Sequence, residues 1–260
     1  MLRRLTPALI VMAFVLAACS GTPALSDPKE IVTSGFDATA DLKSFHVSLA
    51  LDGSFSMPDS GGTFSLTGTT FEADVDLENS VVGATFAVPT LFGLSGELRV
   101  IDSDLYLKTS LTGTMWSHMG GDGTASASPA PDVSSMIDEV RAFLDKEGVE
   151  TVKLDDVDCG ERTCYHVLLT IPAELMNEEG PDASMLPSMD PSEFFGEALV
   201  LDLLFDRETM WLTEVSTSVT SESVGTFNAT FTFSAFDEPV TVVPPPSDEV
   251  TEGTDFNFPF

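Results

Sequence analysis

The sequence predicts an α+β domain built on about nine to eleven antiparallel strands and two or three helices. Runs in which apolar and polar residues alternate indicate most of the strands. Connections of hairpin length join many of these runs, which favours antiparallel pairing, and two other stretches repeat their apolar residues at helical spacing. The 260 residues, of which 43% are hydrophobic, are enough for a large core, and the pattern predicts one folded domain over 28–246.

Two helices are predicted from their caps and their apolar spacing. Asp27 caps the first, Pro28 occupies its first turn, and apolar residues recur at helical spacing over about 28–43. The second begins after the cap Asp132 and ends at Gly148. Its apolar stripe consists of Val133, Met136, Ile137, Val140, Phe143 and Leu144.

The strands of the first half follow the first helix directly. From Phe45 the apolar residues recur with a period of two, so one face of this strand is expected to be buried. The run 64–77 changes phase near Thr70, which indicates a bulge or a strongly bent strand. Residues 117–132 are rich in Gly, Ser, Ala and Pro and are predicted to form a mobile loop. Three further strands are predicted at 80–88, 95–101 and 104–109.

The second half repeats this alternation and then turns acidic. Segment 173–196 mixes apolar residues with polar ones and prolines, so it is predicted to be irregular. Residues 247–260 are acidic and are predicted to form a disordered tail. The strands of this half are predicted at 150–157, 165–171, 197–205, 211–221 and 226–236.

The N-terminus has the layout of an export signal. Two arginines precede an apolar run of about 11 residues, too short for a bilayer that needs roughly 20. The run ends in LAACSG, which resembles the bacterial lipobox, so residues 1–18 are predicted to be removed and Cys19 to carry acyl chains such as palmitate. Residues 19–27 would then tether the domain to the extracytoplasmic side of the cell or outer membrane. The alternative is an ordinary signal cleaved near a chance cysteine.

Cys159 and Cys164 are predicted to form a disulfide. An exported protein meets an oxidising environment, and strand-like runs flank the pair, so the bridge would staple the end of a hairpin. A metal pair or a redox-active pair is the alternative. The spacing of four intervening residues differs from the two of a CxxC motif.

The charge and the histidines restrict the chemistry. A formal charge of −31 repels nucleic acid and anionic lipid surfaces, so no nucleic-acid partner is expected. His46, His118 and His166 fall in no ligand spacing, and no GxSxG or phosphate-loop motif occurs. The acidic step 155–158 is read as a solvated hairpin end, with a weak calcium site as the alternative. We therefore expect a protein that is not an enzyme, with no catalytic residue, metal or cofactor.

The predicted strands are more apolar than two helices can cover. Runs such as 199–205 are apolar on both faces, and 19 of the 23 aromatic residues are Phe. Such a sheet closes on itself or encloses something apolar, although a well-filled core explains the same residues. Methionines in the irregular segment suit an adaptable lid or serve as core filler. These lid candidates are Met176, Met185, Leu186 and Met189.

The order of these elements resembles that of the LppX/LprG-type bacterial envelope lipoproteins. The matching pieces are the lipobox, ADLKSFHV at 40–47, LRVIDSDLYLK at 98–108, the second helix, TCYHV at 163–167, and the end of the last strand at 238–240. The resemblance implies a LolA-like fold, in which one strongly curved half-barrel sheet carries helices on its concave face. It also implies a hydrophobic cavity that takes up acyl chains, and a role in carrying lipids in the envelope.

The sequence hypothesis is therefore a membrane-anchored carrier whose cavity binds the acyl chains of a lipid or glycolipid. An envelope transporter or acceptor protein would load or unload it. One alternative is a surface scaffold or protein-binding lipoprotein with a filled core. Another is a hydrolase, which would require at least a convergent acid pair or a His-centred site in one pocket. His46 and His166 next to each other and to a carboxylate would favour this alternative. The expected cavity-lining residues are Phe45, Val47, Leu49, Phe64, Leu66, Met136, Val140, Phe143, Leu199, Leu201, Phe231 and Phe233.

Overall fold

A single open sheet forms most of the structure. In the computed structural model, residues 24–56, 62–102, 104–119, 141–179, 195–221 and 225–252 are described. Over these ranges the sheet has fourteen strands, in the order β14-β7-β6-β5-β4-β3-β1-β13-β12-β11-β10-β8, with β2 beside β1 and β9 beside β10. The strands are β1 Ser44–Ser56, β2 Thr63–Ser65, β3 Thr69–Asp76, β4 Val81–Val88, β5 Leu94–Ile101, β6 Asp104–Thr109, β7 Trp116–Met119, β8 Glu150–Lys153, β9 Val157–Cys159, β10 Arg162–Pro172, β11 Ala198–Asp206, β12 Leu212–Ser221, β13 Gly225–Ser234 and β14 Val250–Glu252.

The helices lie on one face of this sheet, which we call the inner face. Helix α1, Pro28–Ala40, begins where the Asp27 carboxylate accepts a hydrogen bond from the Lys29 N–H, and it packs on β8, β10, β11 and β12. Residues 141–144 are helical as well, and Arg141 pairs with Asp37 of α1. Helix α2, Ala173–Glu179, follows β10. None of the helices in the described ranges is both long and apolar enough to span a bilayer.

The core lies between α1 and the inner face of β10 to β12. Phe205 of β11 is fully buried there, and the Phe36 ring of α1 meets it edge-on with centroids 6.2 Å apart. Gly35 of α1 lets the helix approach this ring closely, because a Cβ on that residue would lie 2.2 Å from two ring carbons. The buried core residues are Ile31, Val32, Leu144, Tyr165, Val167, Leu169, Ile171, Leu203, Phe205 and Leu212.

Short breaks make the strands more numerous than the sequence predicts. The run 64–77 is two strands, because a turn at Thr67 and Gly68, with φ of +77° at the glycine, replaces the expected bulge. The run 150–157 is likewise divided into β8 and β9 by residues 154–156. Segment 173–196 begins with α2, so its described start is regular and not irregular as predicted.

The chain end also differs from the prediction. Residues 247–252 do not leave the fold, because a 3₁₀ turn at Ser247–Glu249 leads into β14, which pairs in parallel with β7. Strand β7 itself occupies the start of the stretch that was expected to be a loop. Both strands are short, and β14 is fixed by a partner more than 130 residues away, whereas β7 pairs with β6 as well as with β14. Residues 253–260 and 120–132 lie outside the described residues.

Candidate functional site

The strand register places one continuous apolar surface on the inner face. Residues that pair directly across neighbouring strands share a face, so the register can be followed from β10 to β4. One such row takes an apolar residue from each of seven consecutive strands. Its members are Val167, Leu203, Val215, Phe231, Leu49, Phe71 and Phe86.

The inner face is covered at one side and more open at the other. Under α1, Val167 and Leu203 are buried. Beyond β12, the inner residues of β1 and β3 to β6 are mostly half-buried, and Phe231 in the middle of the sheet is 37% exposed. Among the described residues, the apolar area on which no helix packs therefore lies on β13, β1 and the strands that lead towards β7.

Most of the predicted lining residues with described side chains lie on this inner face or pack against the core behind it. Phe45, Val47 and Leu49 share one face of β1, and the Phe45 ring lies 6.0 Å from that of Phe233. Phe143, Leu199, Leu201 and Phe233 pack against the buried core. The register places Phe64 on the inner face opposite Phe55, and Leu66 directly follows β2. Met136 and Val140 lie outside the described residues.

Of the predicted disulfide, lid and lipidation residues, only some lie within the described part of the chain. Cys159 and Cys164 form the predicted disulfide, with Cα atoms 5.8 Å apart. Met176 of α2 packs against the core, whereas the other three lid candidates, Met185, Leu186 and Met189, lie outside the described residues, so the lid stays a prediction. Cys19 also lies outside the described residues.

The three histidines lie on the outer face, each beside an aspartate of a neighbouring strand. His46 Nδ1 is 2.8 Å from Asp74, and His166 Nε2 is 2.8 Å from Asp202. His118 Nε2 is 3.2 Å from Asp104. Three strands separate β1 from β10, so His46 and His166 are about 19 Å apart at the usual strand spacing. The pair of adjacent histidines that would favour the hydrolase alternative is therefore not formed.

The end of the sheet that carries the disulfide holds a polar cleft. Its volume is about 730 Å³, and Arg162, Arg207, Glu161 and Glu208 line it together with Tyr165 and others. The Tyr165 hydroxyl accepts a hydrogen bond of 3.0 Å from the Leu25 N–H, so the chain enters the fold at this end. Within the described ranges, no group of three or more His, Cys, Asp or Glu residues could hold a metal ion.

Asp206 organises the turn beside this cleft. It is fully buried, and its carboxylate accepts hydrogen bonds from the N–H groups of Glu208 and Thr209 and from Arg162. Burial acts to raise the pKa of Asp206, but the hydrogen bonds from Thr209, Arg162 and Glu208 outweigh it and hold the pKa below its usual value. Nearby, Asp156 is paired with Lys153 and Arg207. Ion pairs therefore neutralise both Asp156 and Asp206 at this end.

A C-terminal strap, residues 238–252, crosses the outer face of the first strands. It is held by Arg99, which donates a 2.8 Å hydrogen bond to the Val243 carbonyl, and by β14. Trp116 is buried on this face, with the Arg99 guanidinium and the Lys108 ammonium 4.4 and 4.7 Å from its ring centre. Both cations also contact Glu97, and the hydrogen bond from Lys108 holds the pKa of Glu97 below its usual value. Val242 of the strap also lies on the outer face, where it faces Gly83.

Two mycobacterial proteins of known structure have a similar fold. The lipoprotein LppX of Mycobacterium tuberculosis matches with a TM-score of 0.51 and 18% identity over 84% of this chain and 100% of LppX. LprF of Mycobacterium bovis matches with a TM-score of 0.55 and 16% identity, over 85% of this chain and 98% of LprF. No protein-family model and no curated protein sequence matches the chain. These comparisons confirm the predicted fold class, and they confirm the resemblance to LppX/LprG-type lipoproteins at the level of the fold.

Proposed function

We propose that this chain is an exported lipoprotein of the LppX/LprG type, anchored through Cys19, that binds acyl chains against its inner face and carries a lipid or glycolipid in the cell envelope. The single observation that carries this proposal is the apolar row that runs across seven strands, of which α1, within the part of the chain that the structure describes, covers only one side. An exposed apolar surface of this extent is typical of a binding site.

The chemistry of the inner face suits hydrocarbon chains. In β13 its residues are Phe227, Ala229, Phe231 and Phe233, and in β1 they are Phe45, Val47, Leu49 and Leu51. Each methylene group that leaves water for such a surface contributes about 0.8 kcal/mol, so the length of the acyl chain would determine affinity more than any polar contact. The histidines and most of the described charges lie on the outer face or at the disulfide end, away from this surface.

The alternative is a scaffold or protein-binding lipoprotein with a filled core. The well-packed half under α1, with Val167, Leu203 and Phe205 buried, favours it locally. The two proposals differ in the other half of the inner face, which must accept a ligand in the first and stay closed to ligand in the second. Acyl binding is therefore the property to measure.

A matched pair of variants on β13 tests the proposal. Phe231→Glu places a charge on the inner face, whereas Thr230→Glu places the same charge on the outer face of the same strand. The full-length protein is extracted gently, examined by native mass spectrometry for bound lipid, and titrated with a fluorescent fatty acid. We expect Phe231→Glu to weaken fatty-acid uptake at least tenfold, because an ionised carboxylate resists removal from water.

The control fixes the interpretation. Thr230→Glu is expected to bind the fatty acid as the unmodified protein does, and both variants are checked for folding by circular dichroism. If the unmodified protein carries no lipid and takes up no fatty acid, the carrier proposal fails and the filled-core alternative stands. Equal uptake by both variants would exclude the inner face as the site.

A further inference from the structure

Two exposed apolar side chains lie on adjacent hairpin turns at the end of the sheet opposite the disulfide. Phe92, between β4 and β5, is 97% exposed, and Leu111, between β6 and β7, is 65% exposed. Single exposed apolar residues are common on protein surfaces, whereas exposed apolar residues that cluster mark interaction sites. We call residues 66–68, 89–93 and 110–115 the hairpin rim.

The rim is one structure and not three separate loops. The Thr90 hydroxyl donates a 2.7 Å hydrogen bond to the Ser65 carbonyl, which joins the first two turns. The Ser110 N–H donates a 2.7 Å hydrogen bond to the Ser95 carbonyl, which joins the third turn to β5. The three turns therefore present their side chains together.

The rim is also free of charge in a highly charged protein. The rim and the strand residues that flank it, over 62–71, 84–96 and 109–115, contain no Asp, Glu, Lys or Arg, although 20% of the whole chain is charged and about six such residues would be expected in these 30 positions. A protein–water surface has no need to exclude charge. A surface that enters hydrocarbon does, because an ion is costly to remove from water.

Phe92 is held in a conformation that its own packing does not explain. Its φ is +54°, a left-handed conformation that bulky residues rarely adopt, and Gly93 follows with φ of +72°. Asn or Gly would fit the first of these positions with less strain. A phenyl ring that contributes almost no burial to the fold at this strained position indicates a contact outside the chain.

The rim leads directly to the candidate site. Val88 and Leu94 pair at the base of the Phe92 turn, and the register places both on the inner face. Next along β5, Gly96 leaves room for the Phe86 ring, because a Cβ on this glycine would lie 2.5 Å from it. An apolar path therefore runs from Phe92 to the row of inner-face residues.

From these observations we infer that the hairpin rim inserts into the apolar interface of a lipid bilayer, with Phe92 and Leu111 as its insertion residues. The formal charge of −31 disfavours a second copy of the chain as the occupant and favours an uncharged, zwitterionic membrane over an anionic one. The rim itself does not depend on the proposed acyl binding.

The position of the rim also indicates which membrane it contacts. This step rests on the Cys19 anchor of the proposed function. The chain enters at the disulfide end through Leu25, six residues after Cys19, and six residues span at most about 20 Å. The 13 residues of β1 extend about 40 Å along the sheet from that end to the rim. The rim would therefore contact a membrane other than the one that holds the acyl anchor.

Vesicle capture tests this inference with the full-length lipidated protein. The protein is reconstituted in donor vesicles of phosphatidylcholine, and its flotation with these vesicles shows that the acyl anchor holds it. The donor vesicles are then immobilised and mixed with fluorescent acceptor vesicles that contain no protein. We expect phosphatidylcholine acceptors to be retained, and acceptors containing phosphatidylglycerol to be retained less. The double variant Phe92→Asn, Leu111→Ser should retain at least tenfold fewer acceptor vesicles than the unmodified protein. Its thermal midpoint should be equal to that of the unmodified protein or higher.

Val243→Ser is the matched control, since Val243 is 59% exposed but lies on the C-terminal strap. It should capture acceptors as the unmodified protein does. Equal capture by the rim variant and the control would overturn the inference, as would self-association in solution that the rim variant abolishes. Fatty-acid uptake is measured on the same proteins. If the rim variant loses capture but takes up fatty acid normally, the result supports insertion of the rim. If the unmodified protein captures acceptors but takes up no fatty acid, the result supports insertion of the rim and contradicts acyl binding.

Discussion

Gly35→Ala should destabilise the protein, although the same change stabilises most helices. In an exposed helix interior, alanine is favoured over glycine by about 1 kcal/mol. At this position, however, a Cβ would lie 2.2 Å from both Cδ1 and Cε1 of Phe205. Phe205 is fully buried, and Phe36 rests against its ring. The packing between α1 and β11 therefore determines whether Gly35→Ala raises or lowers the free energy of unfolding, and we expect it to be lowered.

The size of the destabilisation follows from how far the Phe205 ring and the new Cβ must move apart to reach ordinary contact. Ordinary contact begins near 3.4 Å, so the ring or the helix must move by about 1.2 Å. Overpacking of this kind costs about 1–3 kcal/mol, and a shift of α1 would disturb its contacts with β10 as well, which places the cost near the upper value. After the gain in helix propensity, we expect a net loss of about 2 kcal/mol and a thermal midpoint about 4–8 °C lower.

Urea and thermal unfolding, followed by circular dichroism, measure this difference. Ser34→Ala serves as the control, because Ser34 precedes Gly35 in the same helix and is only half-buried. We expect the control to stay within about 0.5 kcal/mol of the unmodified protein. A Gly35→Ala protein as stable as the control, or more stable, would refute the close approach of α1 to Phe205.

Two further predictions concern the disulfide end. Because the pKa of Asp206 is lower in the folded than in the unfolded chain, its ionised form stabilises the fold above the ordinary aspartate pKa, and this contribution is lost as the pH falls through the lowered value. Asp206→Asn should therefore cost about 1.5–3 kcal/mol in urea unfolding at neutral pH, with a difference that shrinks in acid; a difference independent of pH would contradict this assignment. Reduction of the Cys159–Cys164 bridge opens a short loop and should cost about 2 kcal/mol, or about 4–8 °C in thermal midpoint. The double variant Cys159→Ser, Cys164→Ser should unfold at one temperature with or without reductant, and an equal response to reductant in both proteins would exclude the bridge as its cause.

Local patterns predicted the long elements well. The alternation from Phe45 gives β1, the Asp27 cap gives α1, and the predicted strand 104–109 is β6. Each of these depends on residues close in sequence, through the pleat of a strand or the capping of a helix. The disulfide was predictable for the same reason, since a hairpin brings its two cysteines together.

Elements fixed by distant partners were not predictable. Strand β14 is three residues long and exists through parallel pairing with β7. Trp116 is aromatic at the start of a strand, which suggests the inner face, yet it is buried on the outer face because the strap and two cations cover it. Exposure of Phe92 likewise depends on where neighbouring hairpins end, which no local pattern contains.

The two-sided strands that suggested a cavity in the sequence are not those that carry the more open apolar face, although five of the predicted lining residues lie on β1 and β13. In β11, which is apolar on both faces, Leu203 and Phe205 are buried under α1, while Val200 on the outer face is 36% exposed. In β13 and β1, by contrast, polar residues occupy every outer position except Ala50. This near-strict alternation keeps that half of the outer face hydrated and places every apolar side chain of the two strands except Ala50 on the inner face. An apolar surface on which none of the described helices packs therefore requires one-sided strands, since two-sided strands would leave apolar area on both faces of the sheet.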